Sequence, residues 1–195
     1  MNLAINIPSA EKVNIDMSFV ALDNEQRTGL QGVKAGDRPT NVPEAFFNTS
    51  TDFTRIKLSL ASGVNPTPLF AFATEMTLSV NNNVTPDKAI GVLGAFDTTA
   101  GTFEVGGNLT VYFADITAVQ AVRNNSDVTL DIIMAKKNKA LLIDVPLLTL
   151  GDGRLSIEQD ASITLPLETM AAESKFGHTL MFQSFPYLPD IAGGV

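Results

Sequence analysis

The chain lacks cysteine and tryptophan altogether, and it contains a single histidine, His178. Without cysteine there is no disulfide, no thiol nucleophile and no cysteine-ligated metal site. A single histidine likewise excludes a metal site built from several imidazoles, and it leaves one candidate imidazole base. Because so few side chains suit catalysis, we expect no enzymatic activity, no cofactor and no resident metal.

Basic residues are also few, with 13 Lys and Arg against 21 Asp and Glu, which gives a formal net charge of −8. DNA affinity comes mostly from clustered Lys and Arg, so a broad phosphate-binding surface is not expected. No run approaches the roughly 18 apolar residues that a membrane-spanning helix needs. The N-terminus shows no basic region followed by an apolar run. We therefore expect a soluble protein without a targeting segment.

The remaining composition is that of a folded protein. The chain has 195 residues, of which 45% are hydrophobic and 17% are charged. Disordered chains have fewer apolar residues, and a chain of this length buries a sizeable core. We expect one domain spanning residues 1–195.

Apolar and polar residues alternate in seven separate runs. Successive side chains of a strand point to opposite faces, so each run predicts a strand with one apolar and one polar face. Strands of this kind, separated by turn signals, indicate an antiparallel β-sandwich or barrel. The runs are Val13–Phe19, Ile56–Leu60, Met76–Val80, Leu109–Phe113, Val128–Met134, Leu141–Val145 and Ile163–Leu167. The turn signals are Asn81–Asn83, Gly106–Gly107, Asn124–Asn125, Lys137–Lys139 and Gly151–Gly153.

One short α-helix flanks the predicted strands. Asp115 suits its N-cap, and Ile116, Val119 and Val122 follow at helical spacing. Asn124 and its neighbour then end it. A second helical turn is predicted after Thr85–Pro86, because threonine caps helices and proline suits the first helical position.

The segment 23–52 differs from the rest of the chain, because it is polar, rich in glycine and proline, and without sustained alternation. A loop of this length inside a domain is usually functional or disordered. We expect it to be a long loop that reaches a neighbouring subunit. Phe46 and Phe47 are either anchors for a partner or side chains that fold back on their own core. The residues expected in this contact are Arg27, Gly29, Lys34, Arg38, Pro39, Pro43, Phe46 and Phe47.

Other chemistry receives little support from the residues. His178 would need a nucleophile and an orienting acid to act in a hydrolase. Two carboxylates that meet in the fold would suit a glycosidase, but nothing in the spacing selects a pair. The glycines of 91–94 and 101–107 lack the Gly-Lys-Ser/Thr ending of a phosphate loop, and they fit turns and close sheet contacts better.

A run of motifs resembles the core of the tail tube proteins of long-tailed bacteriophages. The motifs are Asn81-Asn82-Asn83-Val84-x-Pro86, Gly91-x-x-Gly94-Ala95, and Gly101-Thr102-Phe103-Glu104-Val105 continuing to Tyr112-Phe113. The short helix, Asn124–Asn125 and a hairpin containing Leu141–Pro146 follow in the same order. The resemblance covers roughly residues 53–189, up to the closing Phe185–Pro189. Longer relatives have more chain ahead of the first strand, so we expect this chain to be short at that end.

The resemblance implies a virion structural protein. Its subunits would form hexameric rings that stack into a hollow tube and conduct DNA from the capsid to the host. The implied partners are other copies of the chain, the tape measure, terminator, and baseplate or tip proteins, a sheath in contractile tails, and passing double-stranded DNA that is not held tightly. The implied location is the phage tail, assembled in the bacterial cytoplasm.

Polar strand faces are the candidates for the lining of the tube, where an acidic surface would repel phosphate. The candidate lumen-facing residues are Asn14, Asp16, Lys57, Ser59, Thr77, Ser79, Glu104 and Thr110. The alternative for some of these residues is a place on the outer surface of the tube. The alternative function is a β-sandwich binding or decoration module of a virion or adhesin, which would stay a monomer or small closed oligomer.

Overall fold

A computed structural model describes residues 1–22, 29, 40, 47–61, 68–70, 72–114, 116–136 and 138–186. Eleven strands and one helix lie in this part of the chain. The strands are β1 Asn2–Ile7, β2 Asn14–Ser18, β3 Phe53–Leu60, β4 Ala73–Asn81, β5 Thr85–Asp87, β6 Asp97–Thr99, β7 Glu104–Tyr112, β8 Val128–Lys136, β9 Lys139–Asp152, β10 Thr164–Ala171 and β11 Met181–Phe185. The helix α1 spans Thr117–Arg123.

Nine strands form one antiparallel sheet in the order β2-β1-β4-β7-β10-β9-β8-β3, with β11 also paired to β9. The long strand β9 joins two parts of this sheet. Its residues as far as Leu148 pair with β8, those near its start also pair with β11, and its last five residues pair with β10. Strands β5 and β6 form a separate hairpin. The predicted mainly-β antiparallel class with one flanking helix is confirmed.

The sheet curls until its apolar face encloses a single core. Ile5 of β1 and Leu58 of β3 lie near opposite ends of the strand order, yet both belong to one buried cluster. A β-bulge helps this curling, because three residue steps in β9 oppose two in β8 between Leu130 and Val128. Pro146 lies at this irregularity, where the missing N–H is tolerated.

The helix closes part of the same core. Ala118 and Ala121 are buried in the cluster. Asn124 caps the C-terminus, and Asn125 adopts φ +47°, so the predicted helix end is confirmed. No side chain caps the N-terminus, where Ile116 is the N-cap residue, and Asp115 lies outside the described residues.

Two local predictions are wrong. Thr85–Asp87 is a strand rather than a helical turn, because it pairs with Asp97–Thr99. Gly106 and Gly107 lie inside β7 rather than in a turn. There the neighbouring strands approach closely: a Cβ on Gly106 would lie 2.6 Å from the Thr169 carbonyl oxygen, and one on Gly107 would collide with the Thr77 carbonyl. The expected close sheet contact at these glycines is therefore present.

Candidate functional surface

The polar side of strands β2, β1, β4, β7 and β10 forms one continuous surface, which we call the acidic face. The apolar sides of β1, β4, β7 and β10 pack into the core, so alternation directs the other residues of these strands away from it. Strand β2 is exposed along its whole length. Cross-strand pairing places Asn14, Asn6, Thr77, Asn108 and Glu168 in one row across all five strands. A parallel row contains Asp16, Ala4, Ser79, Gly106 and Met170.

Charge on the acidic face has one sign. Its carboxylates are Asp16, Glu75, Glu104 and Glu168, and the five strands, all of which the structure describes, contain no Lys, Arg or His. The cations of the sheet lie in its other part, for example Arg55 and Lys57 of β3. The remaining residues of the face are mostly Asn, Ser and Thr, so it is hydrated but offers phosphate no positive charge.

Hydrogen bonds order part of this face. Thr77 Oγ1 donates to Asn6 Oδ1 at 3.2 Å, and Asn6 Nδ2 donates to Asp16 Oδ2 at 2.9 Å. Asn14 Nδ2 donates to the same carboxylate at 3.3 Å. These amides hold the carboxylate of Asp16 in place on the exposed strand β2.

The predicted lumen residues divide between two parts of the sheet. Six of them lie together on the acidic face: Asn14, Asp16, Thr77, Ser79, Glu104 and Thr110. Lys57 and Ser59 lie on β3, at the far end of the strand order. The prediction that Ser59 lies on a surface is wrong, because the residue is only 1% exposed. Its Oγ has no hydrogen-bond partner among the described residues.

Most residues of the predicted inter-subunit contact lie outside the described residues, namely Arg27, Lys34, Arg38, Pro39, Pro43 and Phe46. Gly29 is described, with φ +62°. Phe47 is half-buried and packs against the core of its own subunit. Its backbone carbonyl accepts a hydrogen bond from Val13 N at 3.3 Å, so the chain returns to the sheet beside the start of β2.

A second titratable cluster lies on the other part of the sheet. Asp131 of β8 stands directly opposite Asp144 of β9, and Lys57 stands opposite Asp131 on the far side. Partial burial raises the pKa of Asp144, the hydrogen bond and charge of Asp131 raise it further, and the nearby His178 opposes the shift. His178 also stacks on Phe176 with ring centroids 6.3 Å apart.

Replacing Asp144 by Asn should stabilise the fold at neutral pH by about 0.5 kcal/mol, since like charges directly opposite each other on a sheet are unfavourable. The folded pKa of Asp144 lies above its ordinary value of 3.8. Its ionisation therefore opposes folding above the folded pKa, and this cost vanishes as the pH falls below the unfolded value. Melting curves should show the largest gain at pH 7 and none near pH 3.5, with the exposed Glu158→Gln as the control. A variant less stable than the parent at pH 7 would contradict the assignment.

One ion pair anchors the chain where it enters β3. Lys136 Nζ donates to Asp52 Oδ2 at 2.9 Å, and Asn48 N donates to the same oxygen at 2.9 Å. These hydrogen bonds lower the pKa of Asp52. The described residues contain no group of three or more potential metal ligands, and no helix with the length and apolarity of a membrane span.

Comparison of the sequence with models of protein families gives a match. The family model described as phage tail tube protein matches residues 1–171. This chain belongs to the phage tail tube family. The match includes all five strands of the acidic face, and it extends further toward the N-terminus than the motif-based resemblance, which begins near residue 53.

Membership of the phage tail tube family makes this chain a component of the virion tail. Such a subunit assembles with other copies of itself and with other tail proteins. No curated protein gives a significant match to the chain. The residues outside the family match, 172–195, include strand β11.

Proposed function

We propose that the chain is the major subunit of a hollow tail tube through which double-stranded DNA passes from the capsid to the host. The acidic face carries this proposal, because it combines five adjacent strands, four carboxylates and no cation. DNA binds proteins mainly through phosphate contacts to Lys and Arg. A bore lined by carboxylates, amides and hydroxyls repels or merely hydrates the phosphates, so the genome slides without being held.

Hexameric rings that stack along one axis are the proposed assembly. Strand β2 is the outermost strand of the described sheet order, and one of its edges has no partner strand there. Unpaired strand edges favour pairing with another chain. A heterologous contact between copies closes into a ring, and a second contact between rings builds a tube. Such a ring would bring the acidic faces of its subunits together around the bore.

The remaining partners in this proposal are the tape measure, tail terminator, baseplate or tip proteins and, in a contractile tail, a sheath. Assembly would take place in the host cytoplasm. No catalytic step is assigned to the tube subunit. The DNA is a passing molecule in this account rather than a tightly bound ligand.

A lysine on the acidic face tests the conduit. In a phage that carries Asn108→Lys as its only source of this subunit, we expect tubes of normal length but DNA ejection that is roughly tenfold slower at low salt, because every subunit adds a phosphate contact. The difference should shrink as salt rises. Gln183→Lys on β11 is the matched control, since it makes the same change at an exposed strand position away from the acidic face. Equal ejection rates for the two variants would contradict a bore lined by this face.

A further inference from the structure

The hairpin β5–β6 presents two of the most exposed apolar side chains in the described residues. Its connecting loop, residues 88–96, contains Ile90 and Leu93 with relative exposures of 107% and 99%. Phe96 at the end of the loop is also exposed. Apolar groups presented together on a projecting loop indicate a contact surface rather than a core element. We call residues 88–96 the hairpin loop.

The base of this hairpin is held in place by hydrogen bonds. Thr99 Oγ1 donates to Asp87 Oδ2 at 2.6 Å, and Phe96 N donates to the Asp87 carbonyl at 3.0 Å. Close packing fixes the approach to the hairpin, because a Cβ on Gly101 would lie 2.5 Å from the Asn83 carbonyl oxygen. A loop whose base is ordered loses less conformational entropy when it binds.

A cleft of about 200 Å³ lies at the other end of β4, and we call it the strand-end cleft. It is smaller than the roughly 300–1,000 Å³ that is usual for small-molecule sites. Five of its nine lining residues are apolar, and Glu75 supplies a carboxylate. This lining suits aliphatic side chains with a cation beside them. The lining residues are Ile7, Pro8, Ser9, Ala10, Thr49, Ile56, Ala73, Thr74 and Glu75.

The base of the hairpin and the cleft lie at opposite ends of strand β4. Strand β4 contributes Glu75 to the cleft and ends at Asn81, shortly before the hairpin begins. At about 3.3 Å per residue, these two positions are roughly 20 Å apart along one strand. Ile90 and Leu93 are fully exposed in the subunit, so they do not occupy its own cleft. A contact between two different surfaces of the same molecule is heterologous, and it joins copies in series.

The hairpin loop and the strand-end cleft carry opposite charges. Lys88 begins the hairpin loop, two residues before Ile90, and Glu75 lines the cleft. When the aliphatic side chains enter the cleft of another copy, an ammonium and a carboxylate come to the rim of the same contact. Opposite charges at a rim favour correct docking.

We propose that the hairpin loop of one copy docks into the strand-end cleft of the next, with Ile90 and Leu93 as the inserted side chains. This inference rests on the proposed function, because it supplies a contact between tube subunits. It adds the residues of both partners and the direction of the contact.

The absence of cysteine from the native chain permits a direct test. Leu93→Cys chains are mixed with Ser9→Cys chains under assembly conditions and oxidised, and disulfide-linked dimers are counted on non-reducing gels. Leu93 and Ser9 are both exposed in the subunit, so neither change is expected to disturb folding. Ser184→Cys on β11 replaces Ser9→Cys in the matched control. We expect at least tenfold more linked dimer with Ser9→Cys than with the control.

The outcomes of the cross-linking experiment distinguish failure of the docking from failure of the tube function. Tubes without the Leu93–Ser9 link overturn the docking but leave the tube function standing. A Lys34→Cys chain that links to Ser9→Cys in place of Leu93→Cys overturns the docking in favour of segment 23–46 as the occupant of the cleft. The specific link in an assembly that never becomes a tube supports the docking and contradicts the proposed function.

Discussion

Deleting Arg27–Asn41 should leave a folded monomer that no longer polymerises. The long loop follows Leu22, four residues after the end of β2, and the chain returns to the sheet at Phe47 beside Val13. Val13 and Leu22 are nine residues apart, which is at most about 32 Å, and the nine loop residues that remain give ten steps from Leu22 to Phe47, which reach roughly 33–36 Å when extended. The deletion thus removes the proposed inter-subunit contact without opening the core. The ion pair of Asp52 with Lys136 still fixes the chain where β3 begins.

Two measurements separate folding from assembly in this experiment. Circular dichroism and thermal melting should match the parent within a few degrees, while sedimentation and negative-stain microscopy show only monomers. The matched control replaces the same fifteen positions with a Gly–Ser sequence of equal length, which keeps the span and removes the side chains. We expect this control to be monomeric too. Long tubes from either variant would show that the loop does not join subunits.

Gly107→Ala should be the most damaging small substitution in the acidic-face strands. The added methyl would collide with the Thr77 carbonyl of β4, and Leu78 Cα lies 3.2 Å from it. Both obstacles are backbone, so relief requires the central strands to separate. We expect a loss of about 3 kcal/mol or more, the upper end for overpacking. For a chain of this size, that loss lowers the melting temperature by roughly 10 °C.

The matched control for this substitution is Gly151→Ala in β9. A Cβ there would make ordinary contact with the Glu168 side chain at 3.4 Å, so the strand pairing is preserved. Its melting temperature should stay within about 3 °C of the parent. If Gly107→Ala melted as high as this control, the close approach of β4 and β7 would be wrong.

Alternation in the sequence predicted seven of the eleven described strands, because the side chains of a strand repeat every two residues. All seven alternating runs fall on strands, β2, β3, β4, β7, β8, β9 and β10. Four strands lie outside these runs, namely β1, β5, β6 and β11. Strands β5 and β6 have only three residues each, which are too few to show a period. Pro86 suits both a helix start and an edge strand, and only its partner Thr98 decides between them.

For the candidate lumen-facing residues, the sequence predicted only which of them share a face. Alternation identifies which residues share a face, so six of the eight predicted lumen residues lie together. Alternation does not reveal whether other parts of the chain cover a face, so the burial of Ser59 was not predicted. The two glycines of β7 were read partly as a turn, because close approach of neighbouring strands depends on residues distant in sequence, such as Thr77 and Thr169.

The most direct test of the account is electron cryomicroscopy of the purified chain as its concentration is raised. We expect hollow tubes of stacked rings whose bore is lined by the acidic face, with Asp16 and Glu168 pointing inward. A tube with this face on its outer wall would contradict the proposed conduit. A stable monomer or small closed oligomer at every concentration would contradict self-assembly into a tube and favour a binding or decoration module.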